Sequence, residues 1–166
     1  MTPPSPARTL SGIEALLTAP LPAAGPTVAE GEPDTGEWSA TAGEGFRIVP
    51  LWRSADLVGV YGPEWAAAEA AASARLAGLV QELDRRWGAH RPAGMRVPIF
   101  RDTAGEPLPP LYQALCDADC LGDLAVWGPV DGRWIAVSLN QSDGDAPMIL
   151  VAVVADRPIT ELDDGE

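Results

Sequence analysis

The pattern of apolar and polar positions is clearest in the last third of the chain. Residues 124–155, LAVWGPVDGRWIAVSLNQSDGDAPMILVAVVA, form three apolar runs separated by Val130-Asp131-Gly132-Arg133 and Ser142-Asp143-Gly144-Asp145. Asp-Gly between apolar runs signals a hairpin, because a primed two-residue turn needs positive φ. The stretch therefore predicts a C-terminal three-strand meander. In its middle strand Trp134, Ala136 and Ser138 fall on one face and Ile135, Val137 and Leu139 on the other. The last run, MILVAVVA, is apolar without strict alternation, which fits a central strand covered on both faces.

Upstream, FRIVPLW (46–52) and LVGVY (57–61) read as two further strands, with Pro50 marking an edge or a bulge in the first. Trp65, Ala68, Ala72, Leu76, Leu79, Val80, Leu83 and Trp87 recur at three- and four-residue spacing. They predict a long Ala-rich helix from about Pro63 to Trp87, stopped by Gly88. Residues 89–94 read as loop, MRVPIF (95–100) as a short extended piece and 109–116 as a short helix. The resulting expectation is an α+β domain over 46–158, with an antiparallel sheet of about five strands packed against the long helix on one face. Residues 1–45 read as a flexible, acidic, Pro/Ala/Gly-rich segment. Within it, Ser11-Gly12-Ile13-Glu14 matches a capping box and predicts a short helix near 11–18. Trp38 is the one residue expected to anchor this segment to a surface. Residues 159–166 read as a frayed acidic tail.

Charge narrows the choice of partner. The net charge is −13 over 166 residues, and all eleven basic residues are Arg. The charge is uneven: net −5 for residues 1–46, +2 for 47–99 and −10 for 100–166. A strongly acidic C-terminal half repels phosphate, so no nucleic-acid partner is expected, whereas a basic protein surface fits. No run of 18 apolar residues occurs, so no membrane association is expected. Ile13 to Leu17 is too short for the apolar core of a signal peptide, and the expected location is cytoplasmic.

Motifs add little. Cys116 and Cys120, four apart on a helix, would share a face and with His90 would supply three ligands, one short of a structural zinc site. Either thiol with His90 would also make a nucleophilic dyad. Buried, inert thiols are the simpler reading, and no metal or cofactor is expected. Asp143 and Asp145 flank Gly144 without the remaining ligands of a calcium loop, so a turn is their expected role. There is no Gly-x-Ser-x-Gly, P-loop or GxGxxG sequence, and no catalytic residue is assigned. Six Trp residues are conspicuous in a chain of this length. Trp127 and Trp134 lie on either side of Asp131-Gly132. Paired across the hairpin they would stabilise it by roughly 0.2–1 kcal/mol; exposed beside Arg133 they would form an aromatic patch of the kind favoured at interfaces.

These features favour a non-enzymatic protein-binding module. Its expected contact residues are Trp127, Asp131, Arg133, Trp134, Asp143 and Asp145, on the turn side of the meander. In size and acidity the chain resembles immunity proteins of bacterial toxin systems, which implies as partner a basic toxin or enzyme. Two other readings remain open. One is an accessory subunit that docks through its N-terminal helix or self-associates as a homo-oligomer through a sheet edge. The other is a small hydrolase or ligand-binding domain with a pocket between helix and sheet.

Overall fold

A computed structural model describes residues 6–31 and 38–163. Among the described residues seven strands form one antiparallel sheet in the order β1-β2-β3-β7-β6-β5-β4. They are β1 (Val28–Glu30), β2 (Ala40–Gly43), β3 (Phe46–Arg53), β4 (Arg91–Ala93), β5 (Leu124–Val130), β6 (Arg133–Asn140) and β7 (Ile149–Ala155). The described residues also form four helices: α1 (Pro6–Leu16), the long α2 (Gly62–Trp87), α3 (Arg96–Thr103) and α4 (Pro110–Asp117). The class is α+β with a long helix, as the periodicity predicts, but the sheet has seven strands rather than about five.

Strand β7 is the middle strand, paired with β3 on one side and β6 on the other. Its uninterrupted apolar run has the predicted cause: both of its faces are covered. Leu150, Ala152 and Val154 point toward α1 and α2, where they meet Ile13, Leu16, Leu79 and Leu83. Val151, Val153 and Ala155 point the other way, into a core built from Met95, Tyr112, Leu115, Trp38 and Ile159. The sheet is thus covered on two faces, not on one as expected. A seven-stranded sheet with two apolar faces needs a layer on each, and α3, α4 and the C-terminal residues supply the second.

Several local expectations are corrected. LVGVY (57–61) is not a strand: Gly59 takes φ +74° in a turn, and only Leu57 of the run is buried. MRVPIF is not extended but enters α3. Pro98 lies in the first turn of that helix, where its missing N–H costs no hydrogen bond. Residues 91–93, expected as loop, form edge strand β4, in which Pro92 lowers the capacity of the edge to pair. Pro50 coincides with the register shift of β3, as a bulge predicts.

The sheet also reaches upstream of Phe46, through β2 to β1, so the expected start of the folded domain moves toward the N-terminus. These two strands are too short and too rich in Ala, Thr and Gly to show a period. The capping box does not open a helix: α1 begins by Pro6, which puts Ser11 and Glu14 inside it. Glu14 instead pairs with Arg86 of α2. The apolar face of α1 is consumed by the sheet, with Ile13 and Leu16 buried. Trp38 does anchor its segment: it is buried, and its indole N–H donates to Thr41 Oγ1 at 2.9 Å. The chain after Pro158 is docked rather than frayed up to the last described residue. Ile159 is buried, Tyr112 donates to the Thr160 carbonyl at 2.6 Å, and Gly94 N–H donates to Glu161 at 2.6 Å. The final three residues of the expected tail lie outside the described residues.

Candidate binding surface

Consecutive turns of a meander face opposite ends of their shared strand. Asp131 and Gly132 precede β6, and the Gln141–Met148 loop follows it. Eight residues of β6 hold the two turns about 25 Å apart at 3.4 Å per residue. The six predicted contact residues therefore form no single surface.

At the first end, Asp131 (φ +51°) and Gly132 (φ +78°) make the predicted primed turn. Asp131 is exposed, but its neighbours are engaged elsewhere. Arg133 donates to the carbonyls of Leu16 and Ala19 at 2.8 and 2.7 Å, and so caps the C-terminal end of α1. The two Trp residues are not a pair. Trp127 is opposite Ile135 and points toward α2, where it is 2% exposed. Trp134 is on the other face, half-buried, with its ring over Gly128; a Cβ there would come within 2.1 Å of the indole. The expected aromatic patch is absent because successive strand residues alternate faces, and the register puts these two on opposite ones.

Trp127 belongs to a polar cluster that the sequence did not show. Asp84 of α2 accepts from the Trp127 indole at 3.0 Å, from His90 N–H at 2.9 Å and from His90 Nδ1 at 3.0 Å. Partial burial pushes the Asp84 carboxyl up. The hydrogen bonds from the His90 side chain and backbone and from Trp127, with the charge of His90, outweigh that and leave its pKa below the ordinary value. A depressed folded-state pKa adds stability above the unfolded pKa, and that stability is lost as pH falls through the folded one. The difference in urea midpoint between wild type and Asp84→Asn should then be widest at neutral pH and shrink below about pH 4. A difference that does not change with pH would show that the carboxylate charge is not what holds the cluster.

His90 cannot meet the cysteines. It lies with Trp127 on the α2 side, at a ring separation of 5.7 Å, whereas Cys116 and Cys120 are buried in the core on the opposite face. The sheet separates them, which removes the three-ligand and dyad arrangements. Burial, with nearby carboxylates, pushes the thiols up to about 11 for Cys116 and about 12 for Cys120, so neither is a thiolate at neutral pH.

The second end of β6 carries a different arrangement. The loop of eight residues is longer than a two-residue hairpin, and neither Asp143 nor Gly144 takes positive φ. Asp143 Oδ1 turns back to accept from Asp145 N–H at 2.8 Å and Ala146 N–H at 3.0 Å. Gln141 donates to the Ala146 carbonyl at 2.9 Å. The loop is also tied to the segment before α2. Leu57 N–H donates to the Asp145 carbonyl at 2.9 Å, Met148 N–H to Ser54 Oγ at 2.8 Å, and the Trp65 indole to the Gly144 carbonyl at 3.2 Å.

In this joint Val58 and Tyr61 are 69% and 74% exposed, and Tyr61 shares a recess with half-buried Trp65. A shallow recess of about 380 Å³ lies between Tyr61, Trp65 and Asp145. The two segments, 54–65 and 141–148, carry Asp56, Glu64, Asp143 and Asp145 and no basic residue. Of the predicted residues, Asp143 and Asp145 are here. Val58, Tyr61 and Trp65 were missed, because an apolar run and a helix start both read as core. Gly59 within the run and Gly62-Pro63 after it were the available sign that the chain turns outward there.

Comparison with family models, with curated proteins and with solved structures finds no match. Among the described residues no helix is long and apolar enough to cross a membrane.

Proposed function

We propose that the protein is a non-enzymatic binding module that engages the basic surface of another protein through the Tyr61–Asp145 end of the sheet. The observation that supports this reading is the joint itself. An exposed tyrosine shares a shallow recess with a half-buried indole and Asp145, and the two distant segments that meet there carry four carboxylates, no basic residue and a backbone hydrogen bond that ties them together. A large exposed aromatic on a constrained loop loses little entropy on binding, and segments that carry only acidic charge steer a cationic partner and reject an anionic one. The net charge of −10 over residues 100–166 extends the same field. An immunity-like inhibitor of a basic toxin or enzyme is the narrower form of this proposal.

The test compares proteins captured from extract of the native host by wild type and by Val58→Ala/Tyr61→Ala. Both side chains are exposed, so the double variant should match wild-type stability to within about 0.5 kcal/mol. The expected result is a basic partner retained by wild type, lost in the variant and released by raised salt. Capture of acidic proteins only, or capture that the double variant leaves unchanged, would sink the proposal.

A further inference from the structure

At the Ala155 end of β7, opposite the acidic joint, a pocket of about 210 Å³ opens on the α3–α4 side of the sheet. Buried Phe46 and Ala155, paired across β3 and β7, form its floor. Leu111 and Tyr112 at the start of α4 make one wall, and Ile159 and Leu162 the other. The bond from Tyr112 to the Thr160 carbonyl ties the two walls together and so sets the width. Glu44 and Gly45, the two-residue turn between β2 and β3, stand at the rim. The turn is held from both sides: Gly45 N–H donates to the Pro22 carbonyl at 2.8 Å, and the Gly45 carbonyl accepts from Asp156 N–H at 2.9 Å. Only glycine suits position 45, where φ is +76° and a Cβ would lie 2.7 Å from Arg157 Nη2. That close approach puts the Arg157 guanidinium over the turn, at the same rim.

We propose that this pocket binds a free α-amino acid with an apolar side chain of leucine size, its ammonium on Glu44 and its carboxylate on Arg157. Arg157 donates through Nε to Asp156 Oδ1 at 2.9 Å, and that bond leaves its Nη donors to a ligand. Glu44 is near enough for its charge to act on Arg157, yet among the described residues no ion pair joins the two. Opposite charges that are close without touching match a zwitterion, which carries its ammonium and carboxylate on one carbon. Each contact is a charge-assisted hydrogen bond, the stronger kind. Glu44, Asp156 and Arg157 together leave one net negative charge at the rim. That charge favours a ligand with an ammonium group over a plain carboxylate. Sites for drug-sized ligands measure about 300–1,000 Å³, so this smaller pocket suits a single amino acid. Its apolar floor and walls disfavour a polar side chain, which would find no partner there.

The test is calorimetric titration of the full chain with leucine, beside three analogues that each lack one recognised feature. Leucinamide lacks the carboxylate, N-acetylleucine the ammonium and glycine the side chain. The expected result is one saturable site for leucine and binding about tenfold weaker or worse for each analogue. Glu44→Gln and Arg157→Gln, both at exposed positions, should each weaken leucine binding by about tenfold without moving the thermal midpoint. In NMR spectra leucine should move the amide signals of Gly45 and Thr160 and leave that of Asp145 in place. No saturable binding of leucine, or binding of leucinamide or N-acetylleucine as tight as that of leucine, overturns the proposal. So does leucine binding that both charge variants leave unchanged, or that moves Asp145 and not Gly45.

Discussion

Trp127→Ala should lower the stability of this protein by about 3–5 kcal/mol, a large part of the 5–15 kcal/mol that a domain possesses. Trp127 stands where three elements meet. It packs edge-on against Trp87 at the end of α2, with ring centres 6.1 Å apart and planes at 68°. Its indole N–H is shared between Asp84 and the carbonyl of Gly88. Truncation would open a cavity under the C-terminal half of α2 and remove a donor from both acceptors. Trp127→Phe keeps one six-membered ring and loses the N–H with about three ring atoms, so it should cost less than the alanine variant, about 2 kcal/mol. Urea denaturation of both variants at pH 7 measures the pair. A cost for Trp127→Ala below about 1 kcal/mol would mean that the ring contributes no more than a surface residue.

Gly122→Ala is the second large effect, expected to cost about 3 kcal/mol from a single added methyl group. A Cβ at Gly122 would be 2.3 Å from the Leu139 carbonyl oxygen and 2.9 Å from Asn140 Oδ1. Both neighbours belong to β6, where Leu139 and Asn140 are paired with Leu150 and Ile149 of the central strand β7, so neither can shift without disturbing that pairing. The Gly122 N–H also donates to Asn140 Oδ1 at 2.7 Å, and Asn140 Nδ2 donates to buried Ser138 Oγ at 2.9 Å. Pushing residue 122 away would break the first bond of this chain and leave a buried amide oxygen unpaired, an added cost of about 1–3 kcal/mol. Gly144→Ala is the internal control. It has open space around its Cα and no positive φ, so its thermal midpoint should match wild type. Equal midpoints for the two alanine variants would rule out close approach at Gly122.

Local periodicity was enough for α2 and for the last three strands. In α2 apolar positions recur every three or four residues over many turns, and the last three strands are long apolar runs bounded by turn residues, both of which are properties of the chain itself. The central place of β7 was legible for the same reason, since only a strand covered on both faces tolerates so continuous an apolar run. The primed turn at Asp131-Gly132 was legible from its required φ. Where the period was too short to register, the reading failed. The three- and four-residue strands β1, β2 and β4 exist because a longer neighbour offers hydrogen bonds, not because their own residues prefer extension.

The candidate site shows the same division. Sequence determined the acidity, the turn at Asp131-Gly132 and the presence of Asp143 and Asp145. Tertiary structure alone decided that the two turns lie at opposite ends of β6, that Trp127 and Trp134 face opposite layers, and that Tyr61 stands beside Asp145. Residues 57 and 145 are brought together by a backbone hydrogen bond across 88 positions of sequence. No local preference encodes such a contact. It follows from which strands pair and in what register, and that is settled by burying both faces of the whole sheet at once.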